Sequence, residues 1–275
     1  MTEKSAKHYQ LNVPRSPMRV APDHAAECSN ECLYGERFVI ASPGSTPKYP
    51  WAHRDLLSEP DNQGSQWMFV IAQRDSYTGY VEKNHLQAVN SRGTLPTHWV
   101  HARSTLIFSQ PSIKSQVLNR LPFLSRVTSQ AEVQPPFRAL TTGGYVWDQH
   151  LLKTDQSIDV TPLQLALSHF LGAPYLWGGC TPEGLDCSGL IQALALAKGL
   201  SIPRDSKDQE YQLKHSVAIG SKKTQDIIYW PGHTGILVDP ETLLHATAHS
   251  LSCVIEPLDT VIERAGQISS VKRLF

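Results

Sequence analysis

The sequence predicts an α+β chain, with an all-β first half followed by helices packed on a mostly antiparallel sheet. Three observations predict it. In the first half, short β-branched and aromatic runs alternate with turn residues. Residues 161–171 then carry Thr161 as a cap, Pro162 at the first helical position and apolar residues at helical spacing. Beyond a second helix-forming run at 190–198, strand-like runs follow one another to the C-terminus, and helices followed by consecutive strands imply α+β. The 275 residues are enough for more than one core.

Taken in order, residues 1–15 read as a polar N-terminal arm. The region 16–92 has strand candidates at 37–41, 66–72 and 77–82, with turns at 42–47 and 61–64. Short strands with frequent turns suggest a small barrel. A second such unit, 93–152, opens with 99–103, has strand candidates at 117–122, 125–129 and 137–141, and closes with 143–147. Its closing Gly144-Tyr145-Val146 echoes Gly79-Tyr80-Val81, so the two units read as degenerate copies. Residues 130–136 look like the least ordered loop, and 148–159 like the connector into a last domain, 153–275. That domain opens with the 161–171 helix, which leads into a glycine-rich loop and the 190–198 helix, stopped by Gly199. Its strands are expected around 227–230, 234–238, 242–246, 253–256 and 269–274.

The chemistry concentrates after residue 174. Asp186-Cys187-Ser188-Gly189 puts Cys187 at a helix N-terminus, where the unpaired N–H groups and the dipole favour an anion. A thiol there is expected to lose its proton more easily, and a thiolate is a nucleophile. It needs a proton carrier. His233 and His245 lie in or beside apolar strand-like runs, and imidazole titrates near neutral pH. His233 is expected as base and acid, and His245 as the third member that holds its tautomer. His249 is the rival for that third place, but lies beyond the strand. Tyr175 is expected to donate to an oxyanion, with the Cys187 backbone N–H as second donor. Asp186 and Ser188 are also good helix caps. Trp177 is expected mainly to pack the loop and to border the substrate. Arg204 is expected as a structural anchor.

These motifs resemble the NlpC family of cell-wall peptidases, papain-like cysteine enzymes. The resemblance rests on Tyr175, Trp177-Gly178-Gly179, Thr181, Gly184, Asp186-Cys187-Ser188-Gly189, Pro203-Arg204, Gln209, Asp226-Ile227-Ile228-Tyr229-Trp230, His233-Thr234-Gly235-Ile236 and His245. Gln225 and Thr234 depart from the pattern, which usually has Gly and Val there. The resemblance implies a papain-like fold for 153–275 and hydrolysis of the γ-D-Glu–diamino acid bond of peptidoglycan stem peptides, the diamino acid being diaminopimelate or lysine. It implies that Asp186 and Ser188 bind the substrate's peptide and γ-glutamyl groups. Leu33-Tyr34-Gly35-Glu36, Trp67 and the Tyr77–Val81 run resemble bacterial SH3-like domains. Two such domains before the peptidase resemble the cytoplasmic recycling type, which acts on peptides with a free N-terminal L-Ala. By that resemblance, Glu36 and Tyr77 are candidates to hold the ammonium group. An amidase or acyltransferase on the same Cys–His fold, and a non-catalytic wall-fragment binding module, are the alternatives.

Composition narrows the partners. Lys and Arg number 25 and so do Asp and Glu, which argues against a nucleic-acid partner. The first ten residues lack the apolar core of a secretory signal, and no apolar run approaches a transmembrane helix, so a soluble, cytoplasmic chain with no membrane partner is expected. Five cysteines without a signal fit reduced thiols, with Cys180 and Cys253 as buried small residues. Cys28 and Cys32 have no matching second pair for a metal. A zinc site from Cys180, Cys187, His233 and His245 lacks short ligand spacing and would occupy the nucleophile, so no metal and no cofactor are expected.

Overall fold

The computed structural model describes residues 7–40, 66–90 and 95–275. The chain divides into two compact units, Met1–Gln156 and Ser157–Phe275.

The N-terminal unit is all-β among the described residues, apart from short 3-10 turns. β1 (His8–Leu11), β2 (Arg15–Arg19), β3 (Cys28–Leu33), β4 (Arg37–Ile40), β5 (Trp67–Ala72), β6 (Thr78–Glu82) and β7 (Leu86–Val89) form a sheet in the order β3-β2-β6-β5-β4-β1-β7. Leu11, Met18, Phe38, Val70 and Val81 are its buried core. The strands expected at 37–41, 66–72 and 77–82 are β4, β5 and β6. The polar arm is corrected in part. Residues 8–11 form β1, whose backbone pairs with β4 on one side and β7 on the other. Such pairing satisfies main-chain groups whatever the side chains are, so polarity was a poor guide. The turns expected at 42–47 and 61–64 lie outside the described residues.

The rest of this unit comprises β8 (His98–Val100), β9 (Ser104–Phe108), β10 (Val117–Pro122), β11 (Arg126–Val127), β12 (Ser129–Gln134), β13 (Phe137–Leu140), β14 (Tyr145–Trp147) and β15 (Leu151–Lys153). Five of these strands pair as β10-β9-β14-β13-β12 and three as β11-β8-β15. Val100, Ile107, Leu121, Val127, Leu140 and Val146 bury their side chains together. The 130–136 loop is a correction: most of it belongs to β12, which pairs with β13. The 148–159 connector likewise supplies β15, paired with β8.

In the C-terminal unit, Thr161 caps α1 (Pro162–Leu165) in a full capping box with Gln164. The helix continues as a wider π-helical turn, Ala166–Phe170. The glycine-rich segment then makes a two-strand hairpin, β16 (Cys180–Thr181) with β17 (Gly184–Leu185). It ends at α2 (Cys187–Ala197), which is followed by α3 (Ser206–Gln212). β18 (Ser216–Val217), β19 (Ile227–Trp230), β20 (His233–Asp239), β21 (Thr242–Thr247), β22 (Ser252–Pro257) and β23 (Ser270–Lys272) pair in the order β18-β23-β19-β20-β21-β22. Every pairing in this sheet is antiparallel. Burial of Leu190, Ile191, Ala193, Leu194, Ala195 and Ala197 makes α2 apolar almost all round, as a central helix must be, and it packs on β20 and β21. Two helices were not anticipated, α3 in the polar stretch after α2 and a last one after β22. α4 (Leu258–Ala265) follows β22, and its Leu258, Val261 and Ile262 pack against Trp230, Leu237 and Val271. Among the described residues no helix is long and apolar enough to cross a membrane.

Candidate active site

Two elements meet at the site: the N-terminus of α2 and the strand pair β20–β21. Cys187 is the first residue of α2, and Asp186 is its cap. The Asp186 carboxylate accepts from five donors among the described residues. Gly178 N–H (2.9 Å) and Arg204 Nη2 (2.6 Å) reach Oδ2, and Gly189 N–H (2.7 Å), Ser188 Oγ (3.2 Å) and Arg204 Nη1 (2.9 Å) reach Oδ1. A carboxylate has about four lone-pair sites, so this one is saturated. Arg204 also donates to Gly179 O and Ser188 Oγ and is 2% exposed, so it is an anchor. Burial opposes its charge, but the Asp186 carboxylate beside it more than offsets that and holds the guanidinium above its ordinary value. A Cβ on Gly189 would lie 2.2 Å from Gly179 O, so only glycine lets the helix start this close to the loop. Gln209, also buried, donates its amide to Ser188 O and Pro203 O and ties the second turn of the network.

On the strands, His233 opens β20 and His245 lies opposite on β21. His233 Nε2 is 2.7 Å from His245 Nδ1. His245 Nε2 is 2.8 Å from Glu256 Oε2 on β22, and Arg264 of α4 donates to both oxygens of that carboxylate at 3.2 and 2.7 Å. Gly235 stands beside this line: a Cβ there would meet His245 Cβ at 2.9 Å. The two elements touch at Cys187, whose sulfur accepts from the backbone N–H groups of Thr234 and Ser188. Thr234 follows His233 directly, so the thiol sits at the head of β20.

The electrostatics correct one expectation. Burial, followed by the Asp186 carboxylate, pushes the Cys187 thiol up to about 12, and the Thr234 and Ser188 N–H groups offset only part of this. The helix terminus loses to desolvation because Cys187 is 7% exposed. Burial and the neighbouring His245 lower His233 to about 4. Burial lowers His245 as well, against the pull of Glu256. Burial thus favours the neutral forms of the thiol and of both imidazoles.

The structure brings Cys187, Asp186, Ser188, Tyr175, His233 and His245 together. It pairs His245 with His233, while His249 lies exposed in the following turn. Burial and then the nearby Cys187 raise the Tyr175 hydroxyl above its ordinary value, which places it by the thiol and keeps it a hydrogen-bond donor. Trp177 was expected mainly to pack the loop, and it is 58% exposed instead. Glu36 and Tyr77 belong to the N-terminal unit. Glu36 is buried and paired with Arg74, and its Oε2 has no hydrogen-bond partner among the described residues. Glu36 lines a cavity of about 410 Å³ with Arg37, Arg74 and Arg126. Tyr77 packs in the core of the first sheet. Sequence reasoning missed Glu256 and Arg264. The only signal was the helical spacing of Leu258, Val261 and Ile262, which would have turned Arg264 back toward β22.

A sulfur at a helix start, at the head of a strand whose imidazole pairs with one on the neighbouring strand, defines a cysteine peptidase of papain-like fold. Comparison with known proteins makes this specific. Residues 172–266 match the NlpC/P60 family, and the C-terminal unit is an NlpC/P60 domain. The chain is 27% identical over 257 residues to Dipeptidyl-peptidase 6 of Lysinibacillus sphaericus, covering 86% of this chain and 87% of that one. It is 23% identical to the Gamma-D-glutamyl-L-lysine dipeptidyl-peptidase of Bacillus subtilis over 271 residues, covering 89% and 80%. The crystal structure of an NlpC/P60 family protein from Bacillus cereus superposes with a TM-score of 0.75 at 16% identity, covering 97% of this chain and 99% of that one. That similarity extends the shared fold through both units.

Proposed function

We propose that the protein hydrolyses the γ-D-Glu–L-diamino acid bond of peptidoglycan stem peptides, the diamino acid being diaminopimelate or lysine, and that it acts in murein peptide recycling on peptides with a free N-terminal L-Ala. The hydrogen-bonded His233–His245 pair at the head of β20, beside Cys187, carries the reading. Of the two relatives that align along most of the chain, the Bacillus subtilis one is named for a γ-D-glutamyl-L-lysine dipeptidyl-peptidase and the Lysinibacillus sphaericus one for a dipeptidyl-peptidase, which supports the same bond. His233 takes the thiol proton as the sulfur attacks the scissile carbonyl, forming the S–C bond and moving the π electrons onto oxygen. Tyr175 and the Cys187 backbone N–H stabilise that oxyanion. On collapse the C–N bond breaks, and His233 returns the proton to the leaving amine. Water, deprotonated by the same ring, then cleaves the thioester, and the proton goes back to sulfur. His245 holds the useful ring orientation of His233. Asp186 and Ser188 serve the substrate's γ-glutamyl end chiefly by fixing the loop beneath it, and exposed Trp177 borders it.

In this reading the two groups of β-sheets, before and after residue 93, are SH3-like barrels. Glu36 Oε2 receives the substrate ammonium, and Tyr77 supports that wall. Purified protein is incubated with L-Ala-γ-D-Glu-diaminopimelate, its lysine counterpart and their N-acetylated forms, and the new ends are identified by mass. Cleavage of the free peptides, loss of cleavage in the acetylated ones and inactivity of Cys187→Ala are expected. Unchanged hydrolysis by Cys187→Ala would falsify the enzyme assignment, and equal cleavage of the acetylated peptides removes the Glu36 role.

A further inference from the structure

The imidazole pair does not end at His245. The line His233–His245–Glu256–Arg264 crosses three adjacent strands and finishes on α4, and each link has hydrogen-bond geometry. Its far end determines where the hydrogens lie. Arg264 donates to both oxygens of Glu256; these bonds, reinforced by His245, pull the carboxyl down to about 2 although partial burial works the other way. An ionised carboxylate only accepts. The hydrogen between His245 and Glu256 therefore belongs to His245 Nε2. A neutral imidazole carries one N–H, so His245 Nδ1 is bare and can only accept. His233 Nε2 must then be the donor in the 2.7 Å contact. The one N–H of neutral His233 is thereby committed on its inner side, and its Nδ1 keeps a lone pair.

We propose that Glu256, clamped by Arg264, is a positioning residue that sets the tautomers of His245 and His233 so that His233 Nδ1 is ready to take the Cys187 proton. The inference rests on the reading of Cys187 as nucleophile and His233 as base. Among the described residues, the charged and titratable groups placed against Glu256 are His245 from β21 and Arg264 from α4, with His233 one step farther along the line. When the thiol proton moves, the S–H bond breaks and an Nδ1–H bond forms. The resulting imidazolium keeps its Nε2–H on His245, and Glu256 stays ionised. The charge formed on His233 is felt by the carboxylate through one intervening ring, so Glu256 also favours the transfer. A surface clip holding α4 to β22 would need the Arg264 bonds only. It would not need the short bond from His245, a side chain the structure buries completely.

The test uses the full chain labelled with 15N-histidine. Ring-nitrogen shifts of the wild type at pH 7 should show His245 protonated on Nε2, and His233 protonated on Nε2 with a bare Nδ1. A wild-type His233 carrying its proton on Nδ1 overturns the proposal without any variant. Glu256→Gln can turn its amide N–H₂ toward His245 Nε2, which reverses both tautomers and blocks the base. It should lower kcat about 10–100-fold with KM within about twofold, on the scale seen for partners that orient a catalytic group. It should also slow alkylation of Cys187 by iodoacetamide near neutral pH. Glu256→Asp, which keeps an acceptor, should recover part of both rates. If Glu256→Gln lowers only the melting temperature and leaves the ring shifts and the alkylation rate at wild-type values, the residue is structural and the inference fails. The shifts and the alkylation rate need no peptide substrate. A wrong substrate assignment would leave them intact, so the two failures are distinguishable.

Discussion

Asp186 and Glu256 are both carboxylates clasped by an arginine, and they do different work because of what else reaches them. Asp186 lies with Arg204 in the interior and takes five donors, so both oxygens are spent on fixing the backbone around Cys187. The Glu256 side chain is 20% exposed and that of Arg264 28%, and one Glu256 oxygen also receives the His245 ring. A saturated buried pair holds geometry; a pair with one open acceptor passes a preference about proton position to the next group. Sequence spacing shows neither difference, since both pairs read simply as acid and base some way apart.

Breaking each pair should expose the contrast. Arg204→Met leaves Asp186 buried with its strongest donors gone, and should cost about 3–5 kcal/mol in urea unfolding. Arg264→Met acts on a partly exposed pair and should cost about 1 kcal/mol or less. Its kcat should nevertheless fall, because Glu256 loses the two bonds that aim its oxygen at His245 Nε2. Equal stability losses for the two variants would erase the distinction. Gly235→Ala sharpens the strand side. The new methyl would press on His245 Cβ and Leu243 Cγ, each 2.9 Å away, at about 1–3 kcal/mol of overpacking. Because the methyl enters beside the imidazole line, kcat should drop more than unfolding free energy alone would suggest, and kinetics compared with thermal melts will show it.

Changes of pH should act on the same imidazole line. His233 titrates near 4 in the folded chain, against an ordinary 6.5. Between those values the unfolded chain binds the extra proton, so stability falls as pH drops from 6.5 toward 4 and is level above 6.5. Glu256 is lowered too, from 4.5 to about 2, which for an acid favours the charged form, and its contribution is lost as pH falls through that lower window. In activity, the acid limb of kcat/KM should lie near pH 4, and no limb from thiol ionisation should appear below about 12, where burial holds Cys187. A profile with a thiol limb near neutrality would mean that the thiol ionises before attack.

The sequence by itself determined the parts whose signals are local. A Thr–Pro cap with Gln164, an apolar helix behind an Asp-Cys-Ser-Gly start, and histidines set in apolar strands are patterns a few residues long. Each predicts its element because capping, burial and strand alternation act over that range. That His245 lies in a strand and His249 past its end was legible for the same reason. Tertiary structure alone decided what depends on neighbours distant in the chain. Residues 8–11 became a strand because two other strands flanked them. The Cys187 thiol rose rather than fell because the interior closed over it. Glu256 and Arg264 joined the imidazole line because the turn after β22 starts a helix that brings Arg264 back to the sheet. Desolvation and pairing across strands have no signature in a short window, as both are properties of the assembled core.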